Sequence, residues 1–435
     1  MAEASPTMVV SQDHHVQIAH NFLQTVLGDY HPRNFAVEFW DGSIWAAETD
    51  SPLFTVVLKH PGALRRMFLP PNELTLGEAY IFGDFAIRGT LHDVMRLADF
   101  LLDQQDWHLG RQLSAAWSLL RLPRALPVAP QRRAELGGEQ HSITRDRQAV
   151  RYHYDVSNEF YSLFLDERMV YSCAYFADVE ESLDAAQARK LDYICRKLRL
   201  QPGDRLLDIG CGWGALVMHA AREYGAFAHG ITLSERQVEL AKERIAAAGL
   251  KDRCRVEILD YREVADEGGY DKLVSVGMVE HVGSKALPVY FEQAWRLLRP
   301  GGLFLNHGIA TLQGQEPRMP SFTLKYVFPD GELLPINRML RFAEVAGFEV
   351  RDVESLREHY SLTLKHWVQR LQANRERALE LVDPVTYRIW ELYMSGARHI
   401  FDVQTNNIYQ ALLLKADDHR SHLPLTRDDW YAQGP

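Results

Sequence analysis

The period of the hydrophobic positions changes along the chain. Phe35-Ala-Val-Glu-Phe-Trp40 and Phe54-Thr-Val-Val-Leu58 are short β-branched and aromatic runs that predict strands, while Leu91-His-Asp-Val-Met-Arg-Leu-Ala-Asp-Phe-Leu-Leu102 spaces its apolar residues as a helix does. Residues from about 14 to 105 therefore read as a small α+β domain. From about 148 onward, apolar runs alternate with amphipathic stretches. The strand candidates are 205–209, 227–233, 254–259, 271–276 and 303–307. That alternation predicts a mostly parallel, doubly wound α/β sheet of Rossmann-like type. Ser234 is placed to cap the helix after the second strand, Gly249 to stop it, and Pro300-Gly-Gly302 to turn the chain into the fifth strand. Beyond about 313 the pattern is long, helical and aromatic, as in 359–368 and 387–394. Those rings suit either ordinary core or the lining of a pocket for a large apolar substrate.

The first strand of the second region runs into Asp208-Ile-Gly210-Cys-Gly212-Trp-Gly214, with a helix expected from near Ala215. The glycines permit positive φ and close approach of backbone to a ligand. Gly210-Cys-Gly-Trp-Gly-Ala215 also satisfies the loose dinucleotide pattern G-x-G-x-x-A, but an NAD site wants an acidic residue roughly 20 positions later. Gly230-Ile-Thr-Leu-Ser234, at the end of the second strand, has none. An aspartate before three alternating glycines is the layout of S-adenosylmethionine (SAM) methyltransferases; an ordinary strand-to-helix turn is the alternative. Ligands of doubly wound sheets sit beyond the carboxyl ends of the strands. That gathers 208–214, 232–234, 260–262 and 277–280 around one crevice.

Composition narrows the picture. A chain of 435 residues exceeds the size of a single core, and 46% hydrophobic residues can fill more than one. A net charge of -10 and a pI near 6 argue against a general nucleic-acid binder. Cys173, Cys195, Cys211 and Cys254 show no C-x-x-C spacing, so neither a disulfide framework nor a metal centre is expected, and a reducing cytoplasm fits. The start of the chain lacks a basic segment followed by an apolar core, and no run approaches 18 apolar residues, so neither standard secretion nor a membrane span is expected. Residues 106–147 stand apart as a linker with a basic, apolar face. Gly110–Arg124 is amphipathic, and a proline-punctuated stretch follows it to Arg132 and Arg133. Such a helix either packs on its own protein or meets a membrane, since Trp and Leu beside Arg suit anionic lipid.

Tyr171-Ser-Cys-Ala-Tyr-Phe176, Leu207–Gly214, Gly230–Ser234, Asp260-Tyr-Arg262 and Val276-Gly-Met-Val-Glu-His-Val-Gly283 together resemble the cyclopropane-fatty-acyl-phospholipid synthases. Leu76-Gly-Glu-Ala-Tyr80 and Lys325–Gly331 extend the resemblance over nearly the whole chain. The related mycolic-acid cyclopropane synthases share the motifs but generally lack the N-terminal domain. The resemblance implies three parts. These are an N-terminal α+β domain (1–105), the linker (106–147), and a catalytic SAM methyltransferase domain (148–435) with helical substrate-lid insertions and an acyl-chain pocket.

It also implies a reaction. SAM methylates the cis double bond of an unsaturated phospholipid acyl chain, and a bound bicarbonate removes a proton from the resulting carbocation so that a cyclopropane closes. Bicarbonate would be held by Cys173, Glu280, His307, the Ile309 backbone and Tyr360. Tyr171 and Ser172 would meet the methionine end of SAM, with Asp208, Gly210 and Gly212 along the cofactor. Thr232, Leu233 and Gln237 would lie at the ribose, and Tyr261 and Arg262 at the adenine. Taken singly, a buried cysteine, a strand-end histidine or a helical tyrosine is more often packing. The chemistry suits the set: an unactivated alkene needs tight positioning, a cation needs a dry pocket, and a protein carboxylate in such a pocket tends to be neutral.

Two positions depart from the common pattern, Gly308 where many members have threonine and Phe176 for a frequent tryptophan. They leave room for a methylene- or methyl-branched product from the same cation. O- or N-methylation of a small molecule and a non-enzymatic lipid-binding role are the readings from other classes. The partner implied is a bilayer phospholipid met transiently at the inner membrane surface by a cytoplasmic protein, with Arg111, Arg121, Arg124, Arg132 and Arg133 helping to bind it. A homodimer is compatible with the family.

Overall fold

A computed structural model describes residues 13–103, 109–125, 136–154, 156–265, 269–312, 314 and 319–431. The chain forms two compact units: 1–133 with 320–327 and 382–399, and 134–319 with 328–381 and 400–435.

In the first unit, β1 (Phe35–Glu38), β2 (Ile44–Trp45), β3 (Phe54–Leu58) and β4 (Phe85–Arg88) form a sheet in the order β2-β1-β3-β4. The predicted runs at 35–40 and 54–58 are β1 and β3, paired in parallel with Phe35 opposite Phe54 and their rings stacked at 5.0 Å. Around this sheet lie α1 (His14–Leu27), α2 (Ala63–Phe68), α3 (Glu73–Ile81), α4 (Leu91–Leu102) and α5 (Leu109–Arg121). The sequence reads α5 as linker. It instead contributes Ala115 and Leu119, with Leu122 just beyond, to the core shared by Phe22, Phe35 and Phe68. Two later segments also join this unit, although the sequence assigns everything after 148 to one catalytic body. Phe322 N–H donates to the Glu73 carboxylate at 3.3 Å, Tyr326 Oη donates to Glu78 at 2.7 Å beside Lys325, and Tyr80 Oη donates to Glu391 at 2.7 Å. The Phe322 ring stands where a Cβ on Gly77 would go, 2.6 Å away. Backbone that close to a ring tolerates only glycine.

The second unit is built on seven strands in the order β10-β11-β9-β8-β5-β6-β7. The parallel members are β5 (Arg205–Ile209), β6 (Phe227–Thr232), β7 (Cys254–Ile258), β8 (Tyr270–Val276) and β9 (Leu298–Thr311). This is the doubly wound fold that the alternation predicts, with α6 (Ile143–Tyr154), α7 (Asn158–Ser162), α8 (Leu183–Lys197), α9 (Ala215–Tyr224), α10 (Glu235–Ala247) and α11 (Leu287–Leu297) between and around its strands. Ser234 caps α10, and Gly249, at φ 69°, follows its end.

Two details differ from expectation. Pro300-Gly-Gly302 lies inside β9, where Gly301 at φ 75° sits in a bulge: Tyr270 pairs with Leu298, but Lys272 already pairs with Leu303. The region after 313 also holds two strands, β10 (Glu349–Ser355) and β11 (Asn406–Leu414), which add antiparallel to β9. They carry Gln410 directly opposite His307.

Candidate active site

The chain runs from β5 to β6 on one side and reaches β8 on the other, so the carboxyl end of β5 is a topological switch point. Leu206, Leu207 and Ile209 bury the strand. The turn after it is closed by the Gly210 and Cys211 N–H groups, which both donate to the Ile231 carbonyl at 2.9 and 3.0 Å. Gly210, Gly212 and Gly214 have φ of 83°, 54° and 78°. A Cβ at Gly212 would meet nothing within 4 Å, so backbone is presented to open space.

That space is a pocket of about 1150 Å³. Its floor is Asp208, Gly210 and Gly212; Thr232, Leu233 and Gln237 form one wall; Tyr261 and Arg262 form another; Tyr171 and Ser172 close it. Thus all ten residues expected at the cofactor line one pocket. Thr232 Oγ1 donates to Gln237 Oε1 at 2.7 Å, which ties the wall to α10. Arg262 is held by Asp260 at 2.7 Å, Asp146 at 2.9 Å and the His141 carbonyl at 2.9 Å, so its guanidinium is fixed by α6 and the turn before that helix.

The segment Tyr171–Phe176 is pinned from both sides. From α8, Gln187 Nε2 donates to the Ser172 carbonyl at 2.8 Å and Lys190 Nζ donates to Ser172 Oγ at 3.0 Å. From the helix Arg357–Ala373, Thr363 Oγ1 accepts the Ala174 N–H at 3.0 Å and His359 Nδ1 accepts the Phe176 N–H at 3.0 Å. Tyr171 stacks on Trp367 at 5.0 Å, and Trp367 meets Tyr360, whose ring lies 4.8 Å from Phe401. The aromatics of this helical region therefore form a continuous wall from the cofactor pocket to Tyr360.

Cys173, Glu280, His307, Ile309 and Tyr360 lie outside the pocket lining, but Cys173 and Glu280 are chain neighbours of the lining residues Ser172 and His281. Glu280 Oε1 accepts the Ile309 N–H at 2.7 Å, so the Ile309 donor expected for an anion is engaged by a carboxylate. Burial pushes the Glu280 carboxyl up to about 7, opposed by that N–H. His307 is held well below its ordinary value by burial, with Lys190 and Lys197 adding to the effect. It is neutral, and with Gln410 Nε2 donating to its Nδ1 at 3.3 Å its proton sits on Nε2. Cys173 is fully buried and its thiol is pushed up by burial, so it remains a thiol. Glu280 Oε2 and His307 Nε2 are buried with no hydrogen-bond partner among the described residues. His307 Nε2 is a donor, and Glu280 Oε2 accepts when its carboxyl is ionised.

Residues 141–411 match the mycolic acid cyclopropane synthetase family. The chain belongs to that family. Residues 22–103 match a separate domain of unknown function, DUF7884. A probable fatty acid methyltransferase of Pseudomonas putida is 40% identical over 91% of this chain and 95% of its own length. The tuberculostearic acid methyltransferase UfaA1 of Mycobacterium tuberculosis is 34% identical over 85% of each chain. The mycolic acid cyclopropane synthase CmaA1, solved with SAH and CTAB, superposes with a TM-score of 0.58 at 34% identity, covering 61% of this chain and 97% of that one. This member of the cyclopropane synthetase family is a SAM-dependent methyltransferase. The glycine cradle open to the pocket and the fixed walls fit that cofactor.

Sequence reasoning missed Lys190. A lysine in an amphipathic helix reads as solvent-facing, yet this one is buried, and burial pulls its ammonium down to about 8 against the pull of Asp166 and Asp208. It in turn restrains Asp208, which burial raises to about 7. Asp146 and His281 also line the pocket; Asp146 lies outside every quoted motif, and His281, within Val276–Gly283, had been given no cofactor role. Burial lowers His281 to about 4, which keeps it neutral.

Proposed function

We propose that the protein transfers a methyl group from SAM to the cis double bond of an unsaturated phospholipid acyl chain, and that loss of a proton from the new methyl then closes a cyclopropane. The observation that carries this reading is the pair of unpartnered buried atoms, Glu280 Oε2 and His307 Nε2. A site for methylating a polar oxygen or nitrogen has no need of them. Glu280 and His307 would hold bicarbonate, with Cys173 and Tyr360 near it. Bound there, bicarbonate would supply a base in a place too apolar to keep a free carboxylate charged. The chain's own groups do the rest. Gln187, Lys190 and Thr363 fix the segment that closes the pocket, and the Tyr171–Trp367–Tyr360 wall excludes water and turns π faces toward positive charge.

A second reading, a methylene-branched product, is favoured by the names of the full-length relatives, which are methyltransferases of fatty acids. Gly308 leaves room for it. A Cβ there would stand 2.2 Å from Val279 Cγ1, so glycine lets the turn carrying Glu280 press against β9 more closely than threonine would. The test is gas chromatography with mass spectrometry of fatty acids after incubation with SAM, bicarbonate and vesicles of monounsaturated phospholipid. A ring product with one extra carbon, lost in Glu280→Ala, is expected. A methylene-branched product moves the assignment to the second reading, and unchanged lipid overturns both.

A further inference from the structure

Helix α5 has two apolar faces. Ala115 and Leu119 are buried in the core of the first unit. On the opposite side Leu113, Trp117 and Leu120 are 63, 65 and 52% exposed. Spaced four and three residues apart, they lie one above the other as a stripe along the helix. Packing within the unit accounts for the first face and leaves the second unexplained.

The charge along this stretch of sequence has one sign. The whole chain carries -10, yet residues 107–134 hold Arg111, Arg121, Arg124, Arg132 and Arg133 and neither Asp nor Glu. Arg121 and Arg124 are exposed where α5 ends, whereas Arg132 and Arg133 lie outside the described residues and count here only as charge. A nucleic acid would answer the arginines but leave the stripe in water. A second copy meeting face to face would set cation against cation. A layer with anionic groups above an apolar interior answers both features.

We propose that α5 is the surface by which this protein docks on an anionic phospholipid bilayer, with Leu113, Trp117 and Leu120 entering the headgroup boundary and Arg121 and Arg124 meeting phosphates. Docking is peripheral, since no helix among the described residues is long and apolar enough to cross a membrane. The inference deepens the reading of the substrate as a membrane lipid and rests on it.

The test is flotation of the full-length protein with phosphatidylcholine vesicles, with and without phosphatidylglycerol. The triple variant Leu113→Ser, Trp117→Ser, Leu120→Ser should lose about tenfold or more in vesicle binding, and Arg121→Gln with Arg124→Gln should flatten the dependence on anionic lipid and on salt. Both variants should keep the wild-type melting temperature and SAM affinity. Undiminished flotation of the triple variant overturns the proposal. So does a wild-type dimer that becomes a monomer in the triple variant while vesicle binding persists, because α5 would then be a self-association face. Binding is scored without turnover, so a wild-type protein that floats but makes no product counts against the proposed reaction and leaves the docking surface standing.

Discussion

The two ends of the catalytic unit are built in opposite ways. At the cofactor end, backbone does the positioning. The glycine turn after β5 is closed by two N–H groups on the Ile231 carbonyl, and the side chains around it, Thr232, Gln237 and Arg262, already have partners. At the other end, Glu280 and His307 are buried with polar atoms left unmatched, and both are driven toward their neutral forms. A buried polar group without a partner costs stability, about 1–3 kcal/mol. Under the proposed reaction bicarbonate would supply the missing bonds, so the Glu280 end would be the place of chemistry and the cofactor end the place of binding.

The contrast can be broken at either end. Glu280→Gln should lower kcat by a factor of about 10²–10⁴ while leaving SAM affinity within about twofold; a variant that instead lost SAM binding would merge the two ends into one. The reverse pattern is expected at the turn. Gly210 has φ 83°, and a Cβ there would stand 3.1 Å from Met278. Gly210→Val should therefore weaken SAM binding by calorimetry about fiftyfold or more, with little change in melting temperature beyond the local strain.

Lys190 bears on both ends, through Ser172 and through the charge it sets beside Asp208 and His307. Lys190→Met should reduce SAM affinity about tenfold, the scale of one charge-assisted hydrogen bond. It should also move the ionisation assigned to Asp208 upward in a pH titration of binding, a shift that a loss of packing alone would not produce.

A pH-dependent effect on stability is also expected. Burial raises the Glu280 carboxyl from 4.5 to about 7. Between these values the folded protein retains a proton that the unfolded chain has released, so this group's contribution is complete below about 4.5 and is lost as pH rises through 7. Relative to wild type, Glu280→Gln should gain up to about 3 kcal/mol between those limits. Parallel melting curves for the two proteins would discard the idea.

How much of this was legible depends on how far apart in the chain the cooperating residues lie. Asp208–Gly214 is a local signal, since strand, turn and helix follow one another within ten residues, and the structure places Asp208, Gly210 and Gly212 along one pocket. The strand β11 was not legible. Asn406-Asn-Ile-Tyr-Gln-Ala-Leu-Leu-Leu414 becomes a strand through pairing with β9, about a hundred residues earlier, and the helical aromatic pattern before it masks it. The Pro300-Gly-Gly302 signal was real, but tertiary pairing turned it into a bulge within β9.

By itself, the sequence determined the alternation that makes a doubly wound sheet, the glycine turn at its switch point and the residue types of the site, because each depends on spacing within a few turns or one strand. Only the tertiary structure decided three things. Lys190 is buried rather than solvated, 320–327 and 382–399 pack with the N-terminal domain, and Glu280 Oε2 and His307 Nε2 are left without partners. Burial and hydrogen-bond satisfaction depend on what other segments bring alongside a residue, from Ser172 and Asp208 beside Lys190 to Gln410 about a hundred residues beyond His307.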